Sequence, residues 1–149
     1  MPAAPNDEAR ESGVRILHLE DSEVDHALVQ RALLRSELQF TIVRVETLDE
    51  FRDALQQQDI DAIVADYRLR GFTALDAWAM LRGQPQVPPF VLLSGAIGES
   101  AAVAAIKLGM SDYLQKDDVG KLAHVVQRAI EMQKTRLAKD RADAELALS

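Results

Sequence analysis

The sequence predicts an α/β domain, a parallel sheet of five strands with helices on both faces. Short apolar runs alternate with segments of helical period along the chain. Most of those runs are apolar throughout rather than at every second residue, as expected of strands buried on both sides. Parallel strands need crossover connections, and right-handed helical crossovers cover both faces of the sheet. At 149 residues the chain suits one such domain.

Residues 1–13 hold prolines, charges and a glycine without apolar periodicity, and read as a flexible arm. Val14 to Leu19 is the first strand, succeeded by a helix from Glu23 to Glu37 with Val24, Ala27, Leu28, Leu33 and Leu34 on one side. Phe40 to Val45 makes the second strand. Thr47 and Glu50 stand at capping-box spacing and open a helix running to about Gln57. Ala62 to Ala65 is a short third strand ending at Asp66, and Ala74 to Arg82 is helical. Pro88-Pro89 lead into the fourth strand, Phe90 to Leu93, and an alanine-rich helix from Glu99 to Leu108 is closed by Gly109. Asp112 to Gln115 is the fifth strand, and a final helix begins near Val119.

Composition removes several function classes. There is no cysteine, which excludes disulfides, thiolate zinc sites and a cysteine nucleophile. The 17 basic and 24 acidic residues leave a net charge of −7, which opposes nonspecific binding to nucleic acid or anionic lipid. No apolar run approaches the ~20 residues that span a bilayer, and the N-terminus lacks a basic region followed by an apolar one. A cytoplasmic protein without nucleic-acid or membrane partners is the expectation.

Sheets of this kind bind ligands beyond the carboxyl ends of their strands. The strand ends are therefore informative: Glu20-Asp21 comes after the first, Asp66 after the third, Ser94 after the fourth and Lys116 after the fifth. The second strand offers only Glu46-Thr47, consistent with an edge position. Gathered carboxylates repel one another unless a cation sits among them, and oxygen ligands suit Mg²⁺. A carboxylate facing that metal can attack phosphorus, while an ammonium and a hydroxyl stabilise the transferring group. Phosphoryl transfer is the reaction class this set supports.

Glu20-Asp21, Ala65-Asp66, Leu93-Ser94-Gly95 and the run Tyr113 to Lys116 together resemble the motifs of the response-regulator receiver domain of two-component signalling, over roughly residues 14–132. The runs Asp66 to Phe72, Ser94 to Glu99 and Asp112 to Asp117 look like receivers of hybrid or multidomain sensor proteins. The resemblance implies a flavodoxin-like doubly wound sheet in the order 2-1-3-4-5, acting as a phosphorylation-dependent switch. It implies that Asp66 accepts a phosphoryl group from a sensor histidine kinase or a phosphotransfer protein. Mg²⁺ would be held by Glu20, Asp21, Asp66 and the backbone carbonyl of Arg68. Ser94 and Lys116 would bind the phosphoryl oxygens, and Tyr113 would be the aromatic switch, read on the face of the fourth helix, fifth strand and fifth helix. Enzymatic activity would be confined to self-phosphorylation and slow autodephosphorylation.

The chain departs from the family pattern at two places. Asp117 comes after Lys116 where a proline is common, and Arg70 precedes Gly71 where many relatives carry proline. Two alternatives stand beside the switch: an interaction or dimerisation module with a vestigial acidic pocket, and an aspartyl-phosphate phosphohydrolase. The latter usually needs an acid two residues after its nucleophile, where this chain has Arg68.

His18, His26 and His124 have no ligand spacing and read as structural or surface residues. Residues 133–149 continue the last helical pattern as an extension. Ala123, Ile130, Leu137 and Ala144 fall seven apart, but Gln133 and Asp140 interrupt the seam. The extension reads as a solvated linker or as a dimerising helix; a homodimer through it, or through the face of the fourth helix, fifth strand and fifth helix, is the expected self-association.

Overall fold

Strands β1 (Val14–Leu19), β2 (Phe40–Val45), β3 (Ala62–Asp66), β4 (Phe90–Ser94) and β5 (Asp112–Gln115) form one sheet. In the computed structural model, which describes residues 13–95 and 99–148, every neighbouring pair is parallel and the order is β2-β1-β3-β4-β5, as expected from the sequence. The N-terminal arm lies outside the described residues apart from Gly13. The helices are α1 (Glu23–Leu34), α2 (Leu48–Gln57), α3 (Ala74–Leu81), α4 (Glu99–Lys107) and α5 (Leu122–Leu148).

Alternate strand residues divide the core into two layers. Leu17, Leu19, Ile63, Ala65, Phe90 and Leu92 pack on Phe51 and Ala54 of α2, Ala77 and Leu81 of α3, and Ala105 of α4. On the opposite face, Ile16, Val64, Val91 and Leu93 pack on Val29 and Leu33 of α1 and on Leu122, Val125 and Val126 of α5. Both layers are buried, which explains why β3 and β4 show no alternation in sequence. Trp78 of α3 closes one layer edge-on against Phe90, with ring centroids 5.4 Å apart.

Several element boundaries differ from the sequence expectation for local reasons. Helix α1 stops three residues early, because Ser36 donates its backbone N–H and its hydroxyl to the Leu33 carbonyl and so replaces the next helical turn. Thr47 does cap α2, its hydroxyl accepting from Glu50 N at 3.1 Å. Glu50, however, reaches back to Glu46 N rather than to the cap itself. Before α5, residues Lys116–Lys121 wind as a 3-10 segment, with non-helical backbone at Asp118. The Lys116-Asp117 peptide is trans.

A small antiparallel ribbon after β3, in which Arg68–Leu69 pairs with Phe72–Thr73, is not anticipated from the sequence. Its connection is Arg70-Gly71, with Gly71 at φ +82° and Arg70 not at positive φ. That combination defines a type II turn, in which only the second central residue is left-handed. The ribbon delivers Thr73 as the N-cap of α3, where the Asp76 carboxylate accepts the Thr73 N–H at 2.9 Å.

Candidate functional site: an acidic pocket at the carboxyl ends of the strands

The strand register brings the site together. Leu19 lies beside Val45 and Ala65, Asp66 beside Leu93, and Ser94 beside Gln115, so the strands end at the same level. The residues at these ends therefore sit together along one edge of the sheet. Glu20 continues β1 by donating its N–H to the Val45 carbonyl, and its side chain is only 1% exposed. Asp66 and Ser94 are also buried.

Lys116 binds the acidic recess at this edge together. Its ammonium donates to Asp66 Oδ2 at 3.3 Å, to Glu20 Oε1 at 3.4 Å and to Asp25 Oδ2 at 2.6 Å. Of the residues singled out from sequence, Glu20, Asp66 and Lys116 meet directly, and Ser94 ends the strand next to that of Asp66. Asp25 was missed. It stands in the first turn of α1, where its N–H donates to the Ser22 hydroxyl that caps the helix. The available signal was an acid one helical turn after Asp21, on the helix that opens over the strand ends.

Asp21 is tied to the ribbon. Its Oδ2 accepts from the backbone N–H of Arg70 at 2.8 Å, which ties the end of β1 to the ribbon turn. A proline at position 70 would have no such hydrogen to donate. The departure from the family pattern at Arg70 thus has a structural counterpart. Arg68 lies in the ribbon with its side chain exposed, two residues past Asp66. Tyr113 packs against the first core layer, and among the described residues its buried hydroxyl has no hydrogen-bond partner.

Charge in the recess is unbalanced. Oxygen atoms of Glu20, Asp25 and Asp66 all lie within 4.8 Å of one another, three carboxylates against one ammonium. Burial, reinforced by the Asp66 carboxylate and only partly offset by Lys116, raises the Glu20 pKa to about 7. Burial works against the Lys116 ammonium too, but the hydrogen bond to Asp25 and the nearby carboxylates outweigh it and raise its pKa. A buried acid that resists ionisation among other acids is the environment that a hard cation with oxygen ligands relieves. The donor set fits a divalent metal, since carboxylate oxygens of Glu20, Asp25 and Asp66 stand close enough together for an ion to bind among them.

Behind the recess, two of the three histidines form a structural pair. His18 of β1 and His26 of α1 face each other with Nδ1 atoms 2.9 Å apart and stacked rings. Burial, with His26, Lys116 and Arg44 adding to it, lowers the His18 pKa to about 3. One ring nitrogen of the pair must donate and the other accept, with the buried His18 ring uncharged near neutral pH.

A five-stranded parallel sheet whose carboxyl ends carry buried acids bridged by a lysine defines a receiver-type phosphoryl-signalling fold. The chain belongs to that family: residues 16–127 match the response regulator receiver domain. It is 35% identical over 107 residues to the transcriptional regulatory protein TcrA of Mycobacterium tuberculosis, and 27% identical over 112 residues to the sensory/regulatory protein RpfC of Xanthomonas campestris pv. campestris. These alignments cover 72% of this chain but only 42% and 15% of the two relatives. Among solved structures, a response regulator receiver protein from Pseudomonas putida superposes with a TM-score of 0.67 at 26% identity, over 78% of this chain and 97% of that one.

Proposed function

We propose that this chain is a phosphorylation-dependent switch in which Asp66 is the phosphoacceptor. The observation that carries this reading is the contact of Lys116 Nζ with the buried Asp66 carboxylate at the open end of the sheet. An Asp66 oxygen attacks the phosphorus of a phosphohistidine, a P–O bond forms as the P–N bond breaks, and the imidazole leaves with the electron pair. Lys116 and Ser94 then face the phosphoryl oxygens. Mg²⁺ is the metal this reading assigns to the recess, since it accepts few carboxylates and keeps its remaining positions for water and phosphate oxygen. Glu20 and Asp66 are its first candidates, with Asp21 and the Arg68 carbonyl beside them. Bound there, it would neutralise charge on the transferring group. The donor is a sensor histidine kinase or a phosphotransfer protein, and Tyr113 passes the change to the face of α4, β5 and α5.

Residues 14–132 would form the switch, with 133–149 as its helical extension. From Lys134 onward every described side chain of α5 is exposed, including Leu137, Leu146 and Leu148. These leucines favour pairing with a second copy. Light scattering on the full chain and on one ending at residue 132 tests this; equal monomer masses would count against it.

The central test is incubation with acetyl phosphate and Mg²⁺, followed by a phosphate-affinity gel. Wild type should acquire one acid- and hydroxylamine-labile phosphate and Asp66→Asn none. Equal labelling of both would remove Asp66 from its role. Labelling of neither would favour the interaction module with a vestigial pocket.

A further inference from the structure

We infer that Asp25 is the residue that positions the Lys116 ammonium, holding one of its N–H groups while the other two pass to a phosphoryl group on Asp66. The inference rests on the proposed role of Asp66. Its basis is the unequal division of one ammonium among three carboxylates.

A lysine ammonium has three hydrogens to donate, and here three oxygens face it. The contact with Asp25 is 2.6 Å, whereas those with Asp66 and Glu20 are 3.3 and 3.4 Å. Charge-assisted N–H···O bonds are ordinarily about 2.7–2.9 Å long. Asp25 therefore makes a full bond, and the other two carboxylates make stretched ones. An incoming phosphoryl oxygen displaces the weak contacts first. Those two contacts point to the acids that a metal would occupy, so releasing them leaves neither carboxylate unpaired.

Asp25 is also held for the task from a separate element. Its backbone is fixed by the Ser22 cap on α1, while Lys116 starts the 3-10 segment after β5. The contact borders a small apolar recess lined by Leu28, Val29, Leu93 and Val119, which limits the rotamers open to the lysine stem. A long flexible side chain placed in this way has less freedom left to lose when the phosphoryl group arrives. The same cluster geometry would also allow Asp25 to be a direct metal ligand, and the experiment separates the two.

The test uses the full chain as wild type, Asp25→Asn, Asp25→Glu, Lys116→Met and the Asp25→Asn/Lys116→Met double variant. In the metal-free protein, the Lys116 ammonium should give a protected side-chain ¹⁵N–¹H signal that disappears in Asp25→Asn and returns in Asp25→Glu. Phosphorylation by acetyl phosphate, in which Asp66 gains the P–O bond and acetate leaves, should slow about tenfold in Asp25→Asn, the scale on which losing an outer hydrogen-bond partner acts. Mg²⁺ affinity, read by isothermal titration calorimetry, should change less than about twofold, and Asp25→Asn should add nothing once Lys116 is Met. An equal slowing in the Lys116→Met background overturns the proposal. So does a loss of Mg²⁺ affinity that matches the loss of rate, or an unchanged Lys116 signal. A wild type that takes no phosphate overturns the Asp66 reading instead, whereas a labelled wild type with an unaffected Asp25→Asn overturns this inference alone.

Discussion

Replacing Glu20 by glutamine isolates the electrostatic strain in the recess. In the unfolded chain this carboxyl titrates near 4.5, and in the folded, metal-free protein near 7. Between those values the folded state holds the proton and the unfolded state does not, so stability is lost as pH rises. The pKa difference corresponds to about 3 kcal/mol once Glu20 is fully ionised. Glutamine keeps the shape and cannot ionise. With EDTA present, the variant should match wild type near pH 4, below both values, and exceed it by about 3 kcal/mol at pH 8. With a urea dependence of about 1.5 kcal/mol per molar for a chain of this size, that is a midpoint shift of roughly 2 M by circular dichroism. His18 has the opposite slope, since its lowered pKa adds stability as pH rises from about 3 to its unfolded value of 6.5. It is present in both proteins and cancels in the comparison. Wild-type and variant curves that run parallel from pH 4 to pH 8 would refute the reasoning.

Substitutions at three further positions probe the surroundings. Arg70→Pro fits the first central position of the type II turn but removes the N–H that Asp21 accepts; it should cost about 1 kcal/mol in thermal melts. Arg70→Ala keeps that N–H and should be neutral, so equal losses would deny the Asp21 bond any role. Gly109→Ala forces a side chain onto φ +105° with its Cβ 3.1 Å from the Trp78 ring, and should destabilise by about 2 kcal/mol with a shift in Trp78 emission. Tyr113→Phe removes a buried hydroxyl that has no partner among the described residues and should stabilise by about 1 kcal/mol; a loss of that size would reveal a partner.

The sheet was legible because β3 and β4 are uninterrupted apolar runs, and apolar runs joined by helices leave few topologies open. Glu20, Asp66, Ser94 and Lys116 were legible for a related reason: parallel strands in register must end at one edge. Asp25 was not, because its place depends on the rotation of α1 about its axis, and an acid in a first turn is ordinarily explained by the helix dipole alone. The His18–His26 pair was hidden in the same way, since it joins a strand to a helix across a packing angle that spacing does not encode. The hydrogen bond that Asp21 accepts was not legible either, since it depends on a ribbon that two-residue strands do not announce.

Helix α5 has unequal support along its length. Its first turns are buried among core residues, and Gln133 Nε2 donates to the Val87 carbonyl, but every described residue beyond is in solvent. The segment from Gln133 to Leu148 is roughly 22 Å long at ~1.5 Å per residue, so a tilt of about 5° at its root swings the tip by about 2 Å. A rigid rod clamped at one end acts as a lever, turning a shift too small to see at the sheet into one large enough to engage or release whatever touches its far end.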